Sequence, residues 1–240
     1  MFQFKQFFVD DSHSGMKVTT DAVLLGAWTC QSAVAELLSG ATKALDVGSG
    51  SGILSLIVAQ RLPRVCVTAI DIDANTNIDA RNNFAASPFA SRLEVIEDDF
   101  LAHDFQGQKF DLIISNPPFF SETIHSPEKA RAQSRSEGNL SISTLLKKAQ
   151  PLLADDGLLA FVAPTQRDSE VLLEIALARL KPVCLMRMRQ RQGRPLVRTF
   201  FLCQPLSAHN SLPDSEITVN SADGYTPEYA CLTSDLYLSL

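Results

Sequence analysis

From Lys43 onward, short runs of Val, Ile and Leu alternate with longer segments whose apolar residues recur at helical spacing. Runs of four to six apolar residues without polar alternation are what strands need when both faces are covered, so the pattern predicts a parallel sheet flanked by helices. Strands are expected over residues 44–47, 65–70, 93–96, 110–114 and 158–162, and helices over 53–61, 74–86, 141–153 and 168–180. Residues 183–189 and 196–203 then read as two further strands. Only Gln192-Gly193-Arg194-Pro195 lies near their junction, which leaves no room for a crossover helix, so these two must pair antiparallel.

Upstream, residues 4–9 and 16–18 bracket Asp10-Asp11-Ser12-His13-Ser14-Gly15, which predicts a hairpin. Thr19 or Thr20 is placed to cap a helix from Asp21 to about Cys30. After the hairpin strands, residues 217–219 read as a short strand and 226–238 as a final helix. The expected architecture is α/β: a Rossmann-like, mainly parallel seven-stranded sheet ending in an antiparallel hairpin. A single domain, 1–240, is expected, with an N-terminal extension (1–40), a core (41–205) and a C-terminal strand and helix (206–240).

Composition narrows the chemistry. The 240 residues are 45% hydrophobic and carry a net charge of −6. The start of the chain lacks an apolar run of signal-peptide length and no later run could span a bilayer, so a cytoplasmic protein without membrane association is expected. Five scattered cysteines (Cys30, Cys66, Cys184, Cys203, Cys231) and four dispersed histidines show no metal-ligand spacing. No metal is expected, and the cysteines are expected to be buried apolar side chains in a reducing compartment. An acidic average excludes a uniformly basic coat, but Arg187, Arg189, Arg191, Arg194 and Arg198 follow one another without an intervening acid. That stretch is either a solvated strand edge or a surface that contacts phosphates.

At the first strand end, Asp46-Val47-Gly48-Ser49-Gly50-Ser51-Gly52 places three glycines at alternate positions where a buried strand turns into a helix. Glycines there allow a tight turn and let a ligand lie against bare main chain. The acidic Asp46 would repel a pyrophosphate but attract the amino group of a methionine moiety. Asp71, ending the next strand, can accept from both ribose hydroxyls, with Asp73 a less well-placed alternative. At the third strand end, Asp98 or Asp99 could accept from an adenine amine, or simply cap the following turn. Together these positions point to S-adenosyl-L-methionine.

The fourth strand runs into Ser115-Asn116-Pro117-Pro118-Phe119-Phe120. Two prolines cannot continue a central strand, so they stiffen a loop at the sheet edge. The Asn116 side-chain oxygen and the Pro117 carbonyl can each accept one hydrogen of an amine, aiming its nitrogen at a methyl donor. Phe119 would stack on a base taken out of its helix or loop. Pro118 completes the rigid turn.

Asn-Pro-Pro-Phe in this position resembles the signature of amino-methyltransferases acting on adenine, on guanine N2 or on a glutamine amide. Over nearly its full length the chain further resembles the bacterial methyltransferases that modify adenosine 37 of valine tRNA at N6. Three stretches carry that likeness: Phe4-Lys5-Gln6-Phe7-Phe8, Met16-Lys17-Val18-Thr19-Thr20-Asp21 and Leu24-Leu25-Gly26-Ala27-Trp28. The resemblance implies a class I methyltransferase fold, with Lys17 and Thr20 at the rim of the cofactor site. It implies a tRNA partner held near its anticodon, with backbone contacts from Lys129, Arg131 and Arg135, to which the stretch Arg187, Arg189, Arg191 and Arg194 would add if it contacts phosphates. The chain departs from the pattern at Phe119, where tyrosine is common, and at Ser136, where histidine often stands. Methylation of guanine in ribosomal RNA, of a glutamine amide in a protein, or a non-catalytic RNA- or cofactor-binding role are the competing expectations.

Overall fold

Along β6 (Phe110–Ser115), Leu112 and Ile114 face one layer of helices while Ile113 faces the other, because successive strand side chains point to opposite sides of a sheet. The same alternation recurs in β7 (Leu153–Pro164), where Leu158, Ala160 and Val162 share a layer and Leu159, Phe161 and Ala163 take the opposite one. The computed structural model that shows this describes residues 1–118 and 140–238.

With β3 (Lys43–Val47), β4 (Cys66–Asp71) and β5 (Leu93–Glu97), these strands form a parallel block in the order β7-β6-β3-β4-β5. Beyond β7, β9 (Leu196–Pro205) and β8 (Leu180–Arg191) form the expected antiparallel hairpin, with β9 inserted between β7 and β8. α1 (Thr20–Thr29), α3 (Ile53–Arg61), α4 (Ala74–Ala85) and α7 (Pro227–Thr233) cover one face. The opposite face is covered by α5 (Ile142–Ala149) and α6 (Asp168–Leu177). A short α2 (Ser32–Leu37), which the hydrophobic pattern did not reveal, connects α1 to β3. Gly26 in α1 permits the close approach of α3, since a Cβ there would lie 2.9 Å from Ile57 Cγ2.

Three expectations need correction. The main sheet has eight strands rather than seven, because β10 (Ser215–Asn220) adds parallel to β8 at the edge. Ile217 and Val219 bury themselves beside Met186 and Met188, and that burial draws the segment into the sheet. The N-terminal hairpin pairs β1 (Phe2–Gln3) with β2 (Phe8–Val9), turning at residues 4–7 rather than at 10–15. Residues 10–15 do not form the expected turn because their polar groups bond to α4 instead. Finally, Cys66 and Cys231 are exposed; only Cys30, Cys184 and Cys203 are buried. Burial pushes the thiol pKa of Cys30 up to about 12 and of Cys184 up to about 11.

Candidate active site

The register aligns Val47 with Ile70 on one side and Ser115 on the other, so β3, β4 and β6 end level with one another. Their carboxyl ends open at one edge, where open α/β sheets bind ligands. A cavity of about 110 Å³ lies there, walled by Gly48, Gly50, Asp71, Asp73, Asp98, Asp99, Asn116 and Pro118, with Ser14, Gly15 and Met16 from the N-terminal segment. A smaller cavity of about 40 Å³ shares Met16, Gly48, Gly50 and Asn116 and adds Lys17 and Thr19.

The glycine loop takes its shape from backbone that side chains disfavour. Gly48, Gly50 and Gly52 have φ of +66°, +56° and +83°. The Gly50 N–H donates to Asp71 Oδ2 at 2.9 Å, and Asp71 Oδ1 accepts from the Asp73 N–H at 3.0 Å. Each oxygen keeps a lone pair for a ligand hydroxyl. Burial raises the Asp71 pKa above its ordinary value despite those hydrogen bonds.

Asp46 and Gly52 stand behind the loop and do not line the cavities. Asp46 is fully buried; its Oδ2 accepts from Ser55 N–H at 3.0 Å and from Ser55 Oγ–H at 2.7 Å, clamping the first turn of α3. Its Oδ1 is buried and has no partner among the described residues. Burial pushes the Asp46 pKa up to about 7, with Asp71 adding repulsion. Gly52 packs on Phe84: a Cβ would meet Cε1 at 2.4 Å.

At the end of β5 the two acids divide their work. Asp98 accepts from Asp99 N–H at 2.8 Å through Oδ1 and contacts His103 Nδ1 at 2.8 Å through Oδ2. The His103 hydrogen bond holds its pKa below the ordinary value. Asp99 Oδ1 accepts from Leu101 N–H at 2.9 Å, leaving Oδ2 without a protein donor among the described residues. Asp99 is therefore the better-placed acceptor. Beside these acids, Ile72 is 41% exposed and lines the cavity with Phe100 and Leu140. An apolar side chain open to such a cleft suits the face of a planar ring.

The Asn116 Oδ1 is buried on the cavity wall without a partner among the described residues. Ser115 Oγ, just before it, donates to Val47 O at 2.8 Å and locks β6 to β3 at the mouth. Pro117 and Pro118 follow, and neither has an N–H that could fold back to satisfy the amide. Buried polar atoms are rarely left unpaired, so this acceptor stands open to a donor beyond the described residues.

Of the rim residues, Lys17 lines the smaller cavity, where its Nζ donates to the Asp11 carbonyl. Thr20 begins α1 away from the cavities, and Thr19 caps it by accepting from Ala22 N–H at 3.2 Å. The arginines separate into two kinds. Arg187 pairs with Asp168 at 3.0 Å and Asp214 at 3.9 Å, and Arg189 pairs with Glu216. Arg191 and Arg194 are exposed at the β8–β9 tip and form no ion pair among the described residues. Because β8 runs parallel to β7, that tip lies on the same sheet edge as the cavity. Phe119, Lys129, Arg131 and Arg135, with Ser136, lie outside the described residues.

Sequence reading missed Ser14, Gly15 and Met16 as cleft walls, because it assigned the first two to a hairpin turn and Met16 to the strand after it. It also missed Ile72, whose apolar side chain stands between two aspartates in Asp71-Ile72-Asp73 where a solvent-facing turn needs none.

Among the described residues, the cavity wall carries four aspartates and no lysine or arginine. That field favours a cationic ligand and disfavours phosphates. Joined to the sheet order and the level strand ends, it defines the chain as a class I methyltransferase. The model of the methyltransferase small domain family matches residues 31–187. A tRNA1(Val) (adenine(37)-N6)-methyltransferase from Aeromonas hydrophila is 39% identical, spanning 100% of this chain and 98% of its own length; one from Porphyromonas gingivalis is 36% identical over 99% and 94%. The chain belongs to this family. Among solved structures, one described as a predicted O-methyltransferase from Agrobacterium tumefaciens superposes with a TM-score of 0.68 at 19% identity, covering 90% of this chain and 96% of that one. The glycopeptide N-methyltransferase MtfA, solved with S-adenosylmethionine, gives 0.55 at 9% identity, covering 75% and 94%. These two likenesses concern the fold.

Proposed function

We infer that the chain transfers a methyl group from S-adenosyl-L-methionine to N6 of an adenine in tRNA, adenosine 37 of tRNA1(Val), in the cytoplasm. The observation that carries this reading is the buried Asn116 Oδ1, without a partner among the described residues, facing an acidic cleft. The chemistry of the cleft fits the cofactor. Asp71 would accept from the ribose hydroxyls and Asp99 from the adenine amine, and Ile72, Phe100 and Leu140, which line the cavity, would cover the ring. Asp46 acts from behind the loop, where its carboxyl group clamps Ser55 and so fixes the glycine loop against the start of α3. The bound cofactor supplies an electrophilic methyl group.

The amine of adenine is a poor nucleophile because its lone pair is delocalised into the ring. Asn116 Oδ1 and the Pro117 carbonyl accept its two hydrogens, which favours a more tetrahedral nitrogen pointing into the cleft. With the cofactor bound, its methyl carbon would pass from sulfur to this nitrogen, and one amine proton would be released to solvent. Phe119 stacks on the base, and Pro118 keeps the turn rigid. Arg191 and Arg194 approach the tRNA backbone near the anticodon. Lys129, Arg131 and Arg135 belong to the same reading by family resemblance.

The test is nucleoside mass spectrometry after incubating unmodified tRNA and, separately, ribosomal RNA with the protein and isotopically labelled S-adenosylmethionine. Labelled N6-methyladenosine in tRNA is expected. Label in N2-methylguanosine, or in neither RNA, overturns the substrate assignment.

A further inference from the structure

Asp79, on the second turn of α4, is 1% exposed and is not part of either cavity wall. Its Oδ2 accepts from His13 N–H at 2.9 Å, Ser14 N–H at 2.8 Å and Ser14 Oγ–H at 2.7 Å. Its Oδ1 lies 2.7 Å from His13 Nδ1, and an ionised carboxylate only accepts, so the imidazole presents Nδ1–H. Four donors thus converge on one buried carboxylate from two consecutive residues.

One turn further along α4, Asn83 does the complementary work. Its Oδ1 accepts from Asp10 N–H at 2.8 Å, while its Nδ2 donates to Asp10 O at 2.8 Å and to Ser51 O at 2.9 Å. One buried amide therefore holds both backbone groups of Asp10 and ties them to the glycine loop. Between and beyond these anchors, Ser14, Gly15 and Met16 form a wall of the main cavity, and Met16 and Lys17 part of the smaller one. Residues 10–18 form no helix or strand, so side chains from α4 supply much of what fixes their position.

The geometry points to Asp79 and Asn83 as positioning residues that latch the N-terminal segment over the cofactor cleft, so that cofactor affinity depends on two side chains outside the cleft. Removing the buried carboxylate would leave four donors without an acceptor, whereas losing one donor leaves the other three in place. The latch rests on the cofactor assignment above, but its mechanical part does not. Closing the wall orders Ser14–Met16 before the ligand arrives, which removes an ordering cost from binding.

The experiment pairs calorimetric titration of S-adenosylhomocysteine with hydrogen exchange across residues 10–16, on wild type, Asp79→Asn, His13→Ala and His13→Asn. Asp79→Asn is expected to speed exchange at His13 and Ser14 and to weaken binding about tenfold. Its KM for S-adenosylmethionine should rise by the same factor while kcat at saturating cofactor stays within about twofold. His13→Ala should weaken binding by a smaller factor. His13→Asn, which returns an N–H donor near the position of Nδ1, should restore it. Accelerated exchange with unchanged affinity would overturn the inference, as would an affinity loss that tracks a fall in Tm and is not rescued by His13→Asn. If wild type binds no S-adenosylhomocysteine, the cofactor assignment itself fails, and protected exchange at His13 and Ser14 would still identify the latch as structural.

Discussion

The Gly50 N–H donates to the Asp71 carboxylate at 2.9 Å, so one side chain from β4 both shapes the glycine loop and faces the cavity. Asp71→Ala removes the loop's anchor and the acceptor for two hydroxyls. Hydrogen bonds to a charged group contribute about 1.5–3 kcal/mol each, so losing both should raise the cofactor Kd by about 10²- to 10⁴-fold. Asp71→Asn keeps one acceptor and should fall between. Titration calorimetry with S-adenosylhomocysteine reads both; an unchanged Kd in Asp71→Ala removes Asp71 from the binding site.

Gly52 meets two constraints at once, a φ of +83° and a Phe84 ring 2.4 Å from where a Cβ would stand. Gly52→Ala should cost about 2–4 kcal/mol of unfolding free energy, combining backbone strain with overpacking. Gly52→Ala with Phe84→Leu should recover part of the loss, because it opens space without relieving φ. Chemical denaturation checks both, and a neutral Gly52→Ala would show that the loop relaxes freely.

Asp46 gives a pH prediction with a definite sign. Its pKa is pushed from 3.8 up to about 7 by burial. Between those values the folded chain holds a proton that the unfolded chain has released, so the Asp46 contribution to stability falls as pH rises from 3.8 towards 7 and is flat above. The loss amounts to roughly 4 kcal/mol at most. Asp46→Asn keeps an acceptor for Ser55 and does not ionise, so wild type should lose stability relative to the variant across that window. Parallel curves for the two proteins would mean that Asp46 stays ionised in the fold.

Much of the cleft edge was legible because buried parallel strands announce themselves as apolar runs, and because the residues just past their ends are forced to the same edge. Asp71, Asp98, Asp99 and Asn116 were found that way. Residues whose partners are remote in the chain were not. Asp10–Gly15 has every local mark of a turn, yet its polar groups bond Asp79 and Asn83 more than sixty residues later. Likewise Arg187 and Arg189 read as a basic stretch until Asp168, Asp214 and Glu216 are folded against them. Asp46 was placed at the right strand end, but only the fold shows that its carboxylate turns to Ser55 and away from the cleft wall.

That division among the arginines predicts a division of effects. Arg191→Ala with Arg194→Ala should weaken tRNA binding and lower the slope of log Kd against log salt by about 1–2, as expected for lost phosphate contacts, with cofactor affinity unchanged. Arg189→Ala should change stability by about 0–1 kcal/mol and leave that slope close to wild type, since its charge is already paired with Glu216. Filter binding across a salt series separates them. A wild-type slope in the double variant would move the RNA contact elsewhere.

Asn116→Ala separates catalysis from stability in the cleanest way the site allows. The Asn116 Oδ1 is already buried without a partner among the described residues, so deleting it removes an unsatisfied acceptor and orphans no donor. Tm should therefore hold or rise slightly. Removing one preorganised partner of a reacting group costs about 10²–10³ in rate, so kcat should fall by that factor while the Kd for S-adenosylhomocysteine stays within a few fold. Asn116→Asp, which keeps an acceptor of the same shape, should retain more activity than alanine. If alanine lowers Tm and cofactor affinity together but spares kcat at saturation, Asn116 belongs to the scaffold of the cleft and not to the transfer step.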